Sequence, residues 1–357
     1  MEIISDFKKD GSHPVSARGS YEWWYFDAIS DDNLVSFVII FYRGNPFSGR
    51  YINALSGSSK EDKDSGDFYP AISISVYESG KPIYYGFREF KKEDSYFDTN
   101  FPNCKIYKNE FWGEIRNDNL IYSLKIDQEL PGGDSIYASL SFISPYNKMN
   151  LETDKSKDEG HTWNLVQPAA KVKGVLSVDG RVKRNIKFTG DGYHDHNKGD
   201  EPMKESFKNW YWGRFHFHDR SLVYYVMDHD SHSEKRAWLI NDDGSILSLN
   251  NKIELIDYGY NVFGLKSARQ IELTGKGIEL FVQQDRILDN GPFYQRFFSR
   301  AVMHKQDEVV EAHGISEYIY PSRIHNKLFR PLVNMRIAYP DRQHWVQKSP
   351  LLYRLTW

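Results

Sequence analysis

The densest chemistry in this chain lies in the run GDGYHDHNKGDE, Gly190 to Glu201, where Tyr193, His194, Asp195, His196, Asn197 and Lys198 stand in succession. Histidine changes charge closest to neutral pH, and a neighbouring carboxylate fixes its ring and raises its basicity, so this run suits proton transfer. On an extended backbone His194 and His196 face one way, while Asp195 and Lys198 need not follow. A second polar group stands downstream, with Arg214, His216 and His218 in one strand-like segment and Tyr224, Tyr225, Asp228 and His229 in the next. His194, His196 and Glu201 also match the HxHxxxxE spacing by which cupin barrels hold iron or manganese, and such a ligand set is chemically reasonable. The glycine framing of that motif is misplaced here and no PxG precedes a later histidine, so no metal is expected at these three residues.

The elements that must position these groups read as strands. Apolar and polar residues alternate in short segments such as Ile72, Ile74 and Val76, or Leu176 and Val178. Ser79-Gly80, Pro131-Gly132-Gly133, Asp179-Gly180 and Asp243-Gly244 separate such segments with residues that favour tight turns. No sustained helical period is present, apart from a short helix expected near Arg323 to Leu332, so the fold class is all-β. Aromatic residues make up 15% of the chain, most of them destined for a barrel core and a subset for a pocket wall. That wall is expected from Trp23, Trp24, Tyr25, Trp210 and Trp212, with Arg214 beside them.

The segment from Glu22 to Tyr42 resembles the segment from Asn209 to Asp228, with Trp23 opposite Trp210 and Leu34 opposite Leu222. Each is a tryptophan-rich strand, a polar turn and an apolar strand, which predicts two copies of one antiparallel barrel. The polar run Lys198-Gly199-Asp200-Glu201-Pro202 places the boundary after Gly199, giving domains 1–199 and 200–357, with the charged stretch Leu151 to Gly160 a loop inside the first. Its 357 residues are enough for two cores. A net charge of -3 with both signs interspersed leaves no footprint for nucleic acid or an anionic membrane. The single cysteine, Cys104, the polar first residues and the lack of a long apolar run predict a cytoplasmic protein without stable membrane insertion.

SYEWWYFDA, GDGYHDHNKG, NWYWGRFHF and DNGPFYQRFFSR occur in the order expected of the hydroxyneurosporene synthase family, the carotenoid 1,2-hydratases, which this sequence resembles over nearly its full length. The resemblance implies two consecutive lipocalin-like barrels of the calycin type. It also implies cofactor-free addition of water to an isoprenoid double bond, with kievitone hydratase and fungal decalin-forming cyclases as relatives of the same architecture. The family's catalytic histidine corresponds to His196, and its tyrosine and aspartate to Tyr224 or Tyr225 and Asp228. The family's tryptophan after the His-Asn pair is Lys198 here, and an ammonium repels a cation where an indole face would stabilise one. The expected enzyme uses Asp195, His196, Tyr225 and Asp228 as catalytic groups. It binds a hydrophobic polyene or isoprenoid through Trp23, Trp24, Tyr25, His194, Asn197, Lys198, Trp210, Trp212 and Arg214. It needs no cofactor, and Asp228 or Asp195 supplies the proton, with His196 orienting it or activating water. A cyclase that works by folding its substrate and a non-enzymatic carrier of an apolar ligand are the alternatives.

Overall fold

The computed structural model describes residues 1–13, 17–56, 69–146, 149, 151 and 160–357. Its chain gathers into two units, Met1–Ser206 with Lys327–Trp357, and Phe207–Asn326. Both are built from curled antiparallel sheets, so the all-β expectation holds. Of the charged stretch 151–160, only its two ends lie among the described residues.

The first unit begins with β1 (Glu2–Ile4), β2 (Tyr21–Ser30), β3 (Val35–Gly44), β4 (Ala71–Glu78), β5 (Lys81–Glu89) and β6 (Ser95–Phe97). It continues with β7 (Asn103–Ile106), β8 (Asn109–Arg116), β9 (Asn119–Glu129), β10 (Ser135–Pro145), β11 (His161–Asp179) and β12 (Lys183–Gly199). The second unit holds β13 (Asn209–His216), β14 (Arg220–Asp228), β15 (Ser233–Asn241), β16 (Ile246–Ser248), β17 (Lys252–Tyr260), β18 (Lys266–Gly275), β19 (Ile278–Asn290), β20 (Tyr294–Lys305) and β21 (Glu308–Ile319). β22 (Ile337–Ala338) returns to the first unit and pairs in parallel with β5. Residues 327–357 therefore do not join the downstream barrel, as a single cut after Gly199 would have them do. Ile337 and Ala338 are buried at the free edge of β5, where their backbone groups find partners.

The turns fall where the residues demand them. Ser79 and Gly80 take φ of 50° and 74° between β4 and β5, a left-handed pair that fits the twist of a two-residue hairpin. Near the expected short helix the chain forms two pieces, a 3-10 turn Pro321–His325 and a helix Arg330–Asn334. Pro331 at the first turn of the second piece cannot continue a preceding helix.

The duplication is visible strand by strand. In the first unit β2 lies between β3 and the last long strand β12, and the order runs β5-β4-β3-β2-β12-β11-β10-β9-β8; in the second it runs β16-β15-β14-β13-β21-β20-β19-β18-β17. Trp23 pairs with Tyr42 of β3 and Asn197 of β12. Trp210 pairs with Met227 of β14 and Ile319 of β21, so the two tryptophans are equivalent. The next residues inward repeat a ring stack. Trp24 stacks on His196 at 4.5 Å, and Tyr211 stacks on Tyr318 at 4.3 Å.

Candidate functional site

Strand alternation divides the dense run of β12 between two faces. His194 and His196 project with their partners Phe26 and Trp24 into the core of the first unit. Tyr193, Asp195 and Asn197 project to the opposite face, with Trp23 and Tyr25. Both faces are buried along this strand. The pairing of Asp195 with His196 as one acid–base unit is therefore corrected: adjacent residues of a strand point apart, and His196 cannot orient Asp195. The same geometry separates Trp24 from Trp23 and Tyr25.

On the face opposite the core, the Asp195 carboxylate accepts from Trp163 Nε1 at 2.7 Å, Tyr193 Oη at 2.7 Å and Asn197 Nδ2 at 2.9 Å. Asn197 Oδ1 lies 3.2 Å from His161 Nε2, and His161 Nδ1 lies 2.8 Å from Tyr21 Oη. Burial pushes the His161 imidazolium down to about 3, so this ring is neutral near pH 7. An amide oxygen only accepts, which makes Nε2 the donor and leaves Nδ1 to accept from Tyr21. The result is a directed chain of hydrogen bonds, Tyr21 to His161 to Asn197 to Asp195, ending in a buried carboxylate beside Trp163 and Tyr193.

The core face carries a second network, anchored by residues that the sequence did not single out. His194 Nδ1 lies 3.0 Å from the Tyr25 carbonyl oxygen and its Nε2 3.0 Å from Asp10 Oδ2. His196 Nδ1 lies 3.3 Å from Asp10 Oδ1 and its Nε2 3.0 Å from Glu22 Oε1. Tyr122 Oη donates to Asp10, and Ser12 Oγ donates to Glu22 at 2.9 Å. Arg43 and His13 complete the surroundings of Glu22. Burial opposes charge on His196, but hydrogen bonds to Asp10 and Glu22 overcome it and raise the imidazolium to about 9. Burial likewise opposes ionisation of Asp10 and Glu22, yet the histidines hold both carboxyls below their usual range. This network ties the N-terminal segment across the first barrel's interior.

These shifts predict a stability dome. His196, raised in the fold, contributes stability that is complete below its unfolded value near 6.5 and lost as pH climbs through about 9. His161, depressed in the fold, takes no proton until about 3, so its contribution falls as pH drops from about 6.5, by about 1.4 kcal/mol per unit. Below about 4.5 the loss steepens as Asp10 and Glu22 lose their advantage. Glu89, which burial pushes up to about 7, opposes the His161 contribution between about pH 4.5 and 6.5. Denaturant titrations should therefore show stability falling from about 6.5 towards 9, and His161→Gln should gain on the parent as pH drops from 6.5 to 5. A stability that is level from pH 5 to 9 would contradict these assignments.

In the second unit Trp210, Trp212 and Arg214 share the face of β13 that points away from the core cluster of Tyr211 and Phe215. All three are buried, Arg214 fully. Tyr225 lies on that same face, 6.0 Å from Trp238, whereas Tyr224 belongs to the core. Asp228 follows Tyr224 and Val226 to the other face and accepts from Ser233 Oγ at 2.5 Å. It borders a pocket of ≈ 270 Å³ with Lys235 and Glu254. Tyr225 and Asp228 stand at an odd spacing along β14 and face opposite sides, whereas Tyr224 and Asp228 share a face. Glu317, held by Arg296 at 2.8 Å, stands where Asp195 stands in the first unit, since Trp212 pairs with Glu317 as Tyr25 pairs with Asp195.

Lys198 is half-buried on the His196 side of β12, away from Asp195. Glu201 accepts from Ser206 Oγ at 3.0 Å, and the partners of His194 and His196 are Asp10 and Glu22 instead. Residues missed from sequence were Tyr21, His161 and Trp163 on one face and Asp10 and Glu22 on the other. His161 and Trp163 open β11, whose register against β12 sets Trp163 beside Asn197, a pairing across 34 positions that local spacing does not encode.

The sequence model of the family described as Carotenoid hydratase CrtC matches residues 118–348. A protein named hydroxyneurosporene dehydrogenase from Chlorobaculum tepidum is 30% identical over 96% of this chain and 94% of its own. The chain belongs to the CrtC family. An acyclic carotenoid 1,2-hydratase of Rhodobacter capsulatus is 27% identical over 58% of this chain and 68% of its own. A solved structure described as AttH from Nitrosomonas europaea superposes with a TM-score of 0.62, at 14% identity, over 89% of this chain and 97% of that one. That likeness supports the lipocalin-like fold. As a CrtC-family protein the chain is an enzyme of the hydratase/lyase or cyclase type. The matched span takes in β11 and β12, hence His161, Trp163, Tyr193, Asp195 and Asn197.

Proposed function

We propose that this CrtC-family chain adds water across, or closes a ring from, a carbon–carbon double bond of a hydrophobic polyene or isoprenoid, without a cofactor, and that Asp195 holds the proton. The observation that carries this reading is the buried Asp195 carboxyl with its three donors, beside the rings of Trp163, Trp23 and Tyr25. Three donors favour the carboxylate form. On protonation the Tyr193 hydroxyl can turn to accept from Asp195, so the carboxyl keeps a partner in both states. A buried carboxyl with a hydroxyl partner in both protonation states suits general acid–base work.

In the hydration, the Asp195 carboxyl proton passes to one alkene carbon and the positive charge develops on the other, faced by aromatic rings that stabilise a cation. Water bonds to that carbon and gives its extra proton to the Asp195 carboxylate. One C–H and one C–O bond form, the π bond and one water O–H bond break, and the enzyme is regenerated. Protein dialysed against chelator and supplied with an acyclic carotene in H2(18)O should yield an alcohol carrying one labelled oxygen. An unlabelled ring-closed product would shift the reading to the cyclase, and return of unchanged ligand would leave a carrier.

A further inference from the structure

We propose that His229, His232 and Glu234 form a binding site for a divalent d-block cation of the zinc class, at the tip of the hairpin joining β14 and β15. The hairpin is well defined: Asp228 pairs with Ser233, and His229 N–H donates to the His232 carbonyl at 2.8 Å. The Nε2 atoms of both histidines face one oxygen, Glu234 Oε1, at 3.5 Å and 3.7 Å. Those separations are long for an N–H···O hydrogen bond, whose distances centre near about 2.9 Å. They are close to the spacing of two ligands on one tetrahedral ion, about 3.3 Å when each bond is about 2.0 to 2.1 Å. All three ligand atoms lie within 4.8 Å of one another.

The surroundings fit a metal ligand set. Ser231 Oγ lies 3.1 Å from His232 Nδ1, and a proton on Nδ1 donated to that hydroxyl leaves the Nε2 lone pair for a metal, as outer hydrogen bonds do in known sites. The side chains of His229 and Glu234 are 10% and 12% exposed, while His232 is 47% exposed and leaves a route for the ion and a place for water. Two imidazoles and one carboxylate favour zinc, copper or nickel over calcium or magnesium, which take oxygen-rich sets. Bound metal would clamp the hairpin tip next to Asp228 and Ser233, at the edge of the pocket with Lys235 and Glu254.

Equilibrium dialysis of the full chain against ZnCl2 should load one high-affinity zinc per chain. His232→Gln and Glu234→Gln, both at the hairpin tip, should each weaken that binding at least about 10-fold. Zinc should raise the Tm of the parent and not of the variants, and Co2+ should give the intense visible bands of a tetrahedral centre. Substoichiometric zinc in the parent, or unchanged zinc affinity in both variants with a native circular dichroism spectrum, would overturn the assignment. None of these readouts depends on the catalytic reading of Asp195.

Discussion

Asp195→Asn is expected to lower turnover of a polyene substrate by about 10³-fold, within the range that a positioned general acid–base contributes. The substitution keeps shape but removes the exchangeable carboxyl proton. It also puts an amide N–H2 in place of one carboxylate oxygen, against Asn197 Nδ2 at the Oδ1 position or against Trp163 Nε1 and Tyr193 Oη at the Oδ2 position, all of which donate to the parent carboxylate. A stability loss of about 1 to 3 kcal/mol accompanies it, because one donor is left facing another donor in a buried place. Rates must therefore be referred to the folded fraction at a temperature well below the transition. Tyr193→Phe removes the hydroxyl that lets Asp195 change protonation state and should cost about 10²-fold in kcat with little change in KM. A variant Asp195→Asn that is destabilised but turns over at the parent rate would assign the carboxylate a purely structural role.

Glu22→Ala should destabilise the first barrel strongly, by about 3 to 5 kcal/mol. Glu22 is buried and faces His196, His13, Ser12 and Arg43, so its removal leaves the charged His196 ring with one carboxylate fewer. For a unit of this size the loss corresponds to a fall in Tm of about 6 to 20 °C. His196→Gln should destabilise as well, and the double variant should cost less than the sum, since each single change leaves the other partner unmatched. Additive losses in calorimetry would mean that the two side chains do not act as one network.

What the sequence made legible, and what it hid, follows from the period of a strand. Alternation and turn residues are local signals, so the all-β class, the hairpins at Ser79-Gly80 and Asp243-Gly244 and the equivalence of Trp23 with Trp210 could be read directly. The family resemblance extended the same reading to the lipocalin-like form. Grouping chemistry by adjacency failed for the same physical reason: Asp195 with His196, and Tyr225 with Asp228, sit at odd spacings and face apart. Side chains that do meet Asp195 come from its own alternate positions, Tyr193 and Asn197, and from β11, where only the register reveals Trp163. Asp10 and Glu22 were hidden further, because the β12 histidines they meet lie more than 170 positions away and are reached by the N-terminal segment and the start of β2. The short return of Ile337 and Ala338 to the edge of β5 carries no local signal at all.

The proton that Asp195 delivers to carbon can be followed from its origin in D2O. The parent enzyme, given an acyclic polyene in D2O, should place one non-exchangeable deuterium on the carbon next to the new C–O or ring bond in every product molecule, and folded Asp195→Asn should form this labelled product about 10³-fold more slowly. Product formed without solvent deuterium, or labelled product formed by Asp195→Asn at the parent rate, would contradict proton delivery by Asp195.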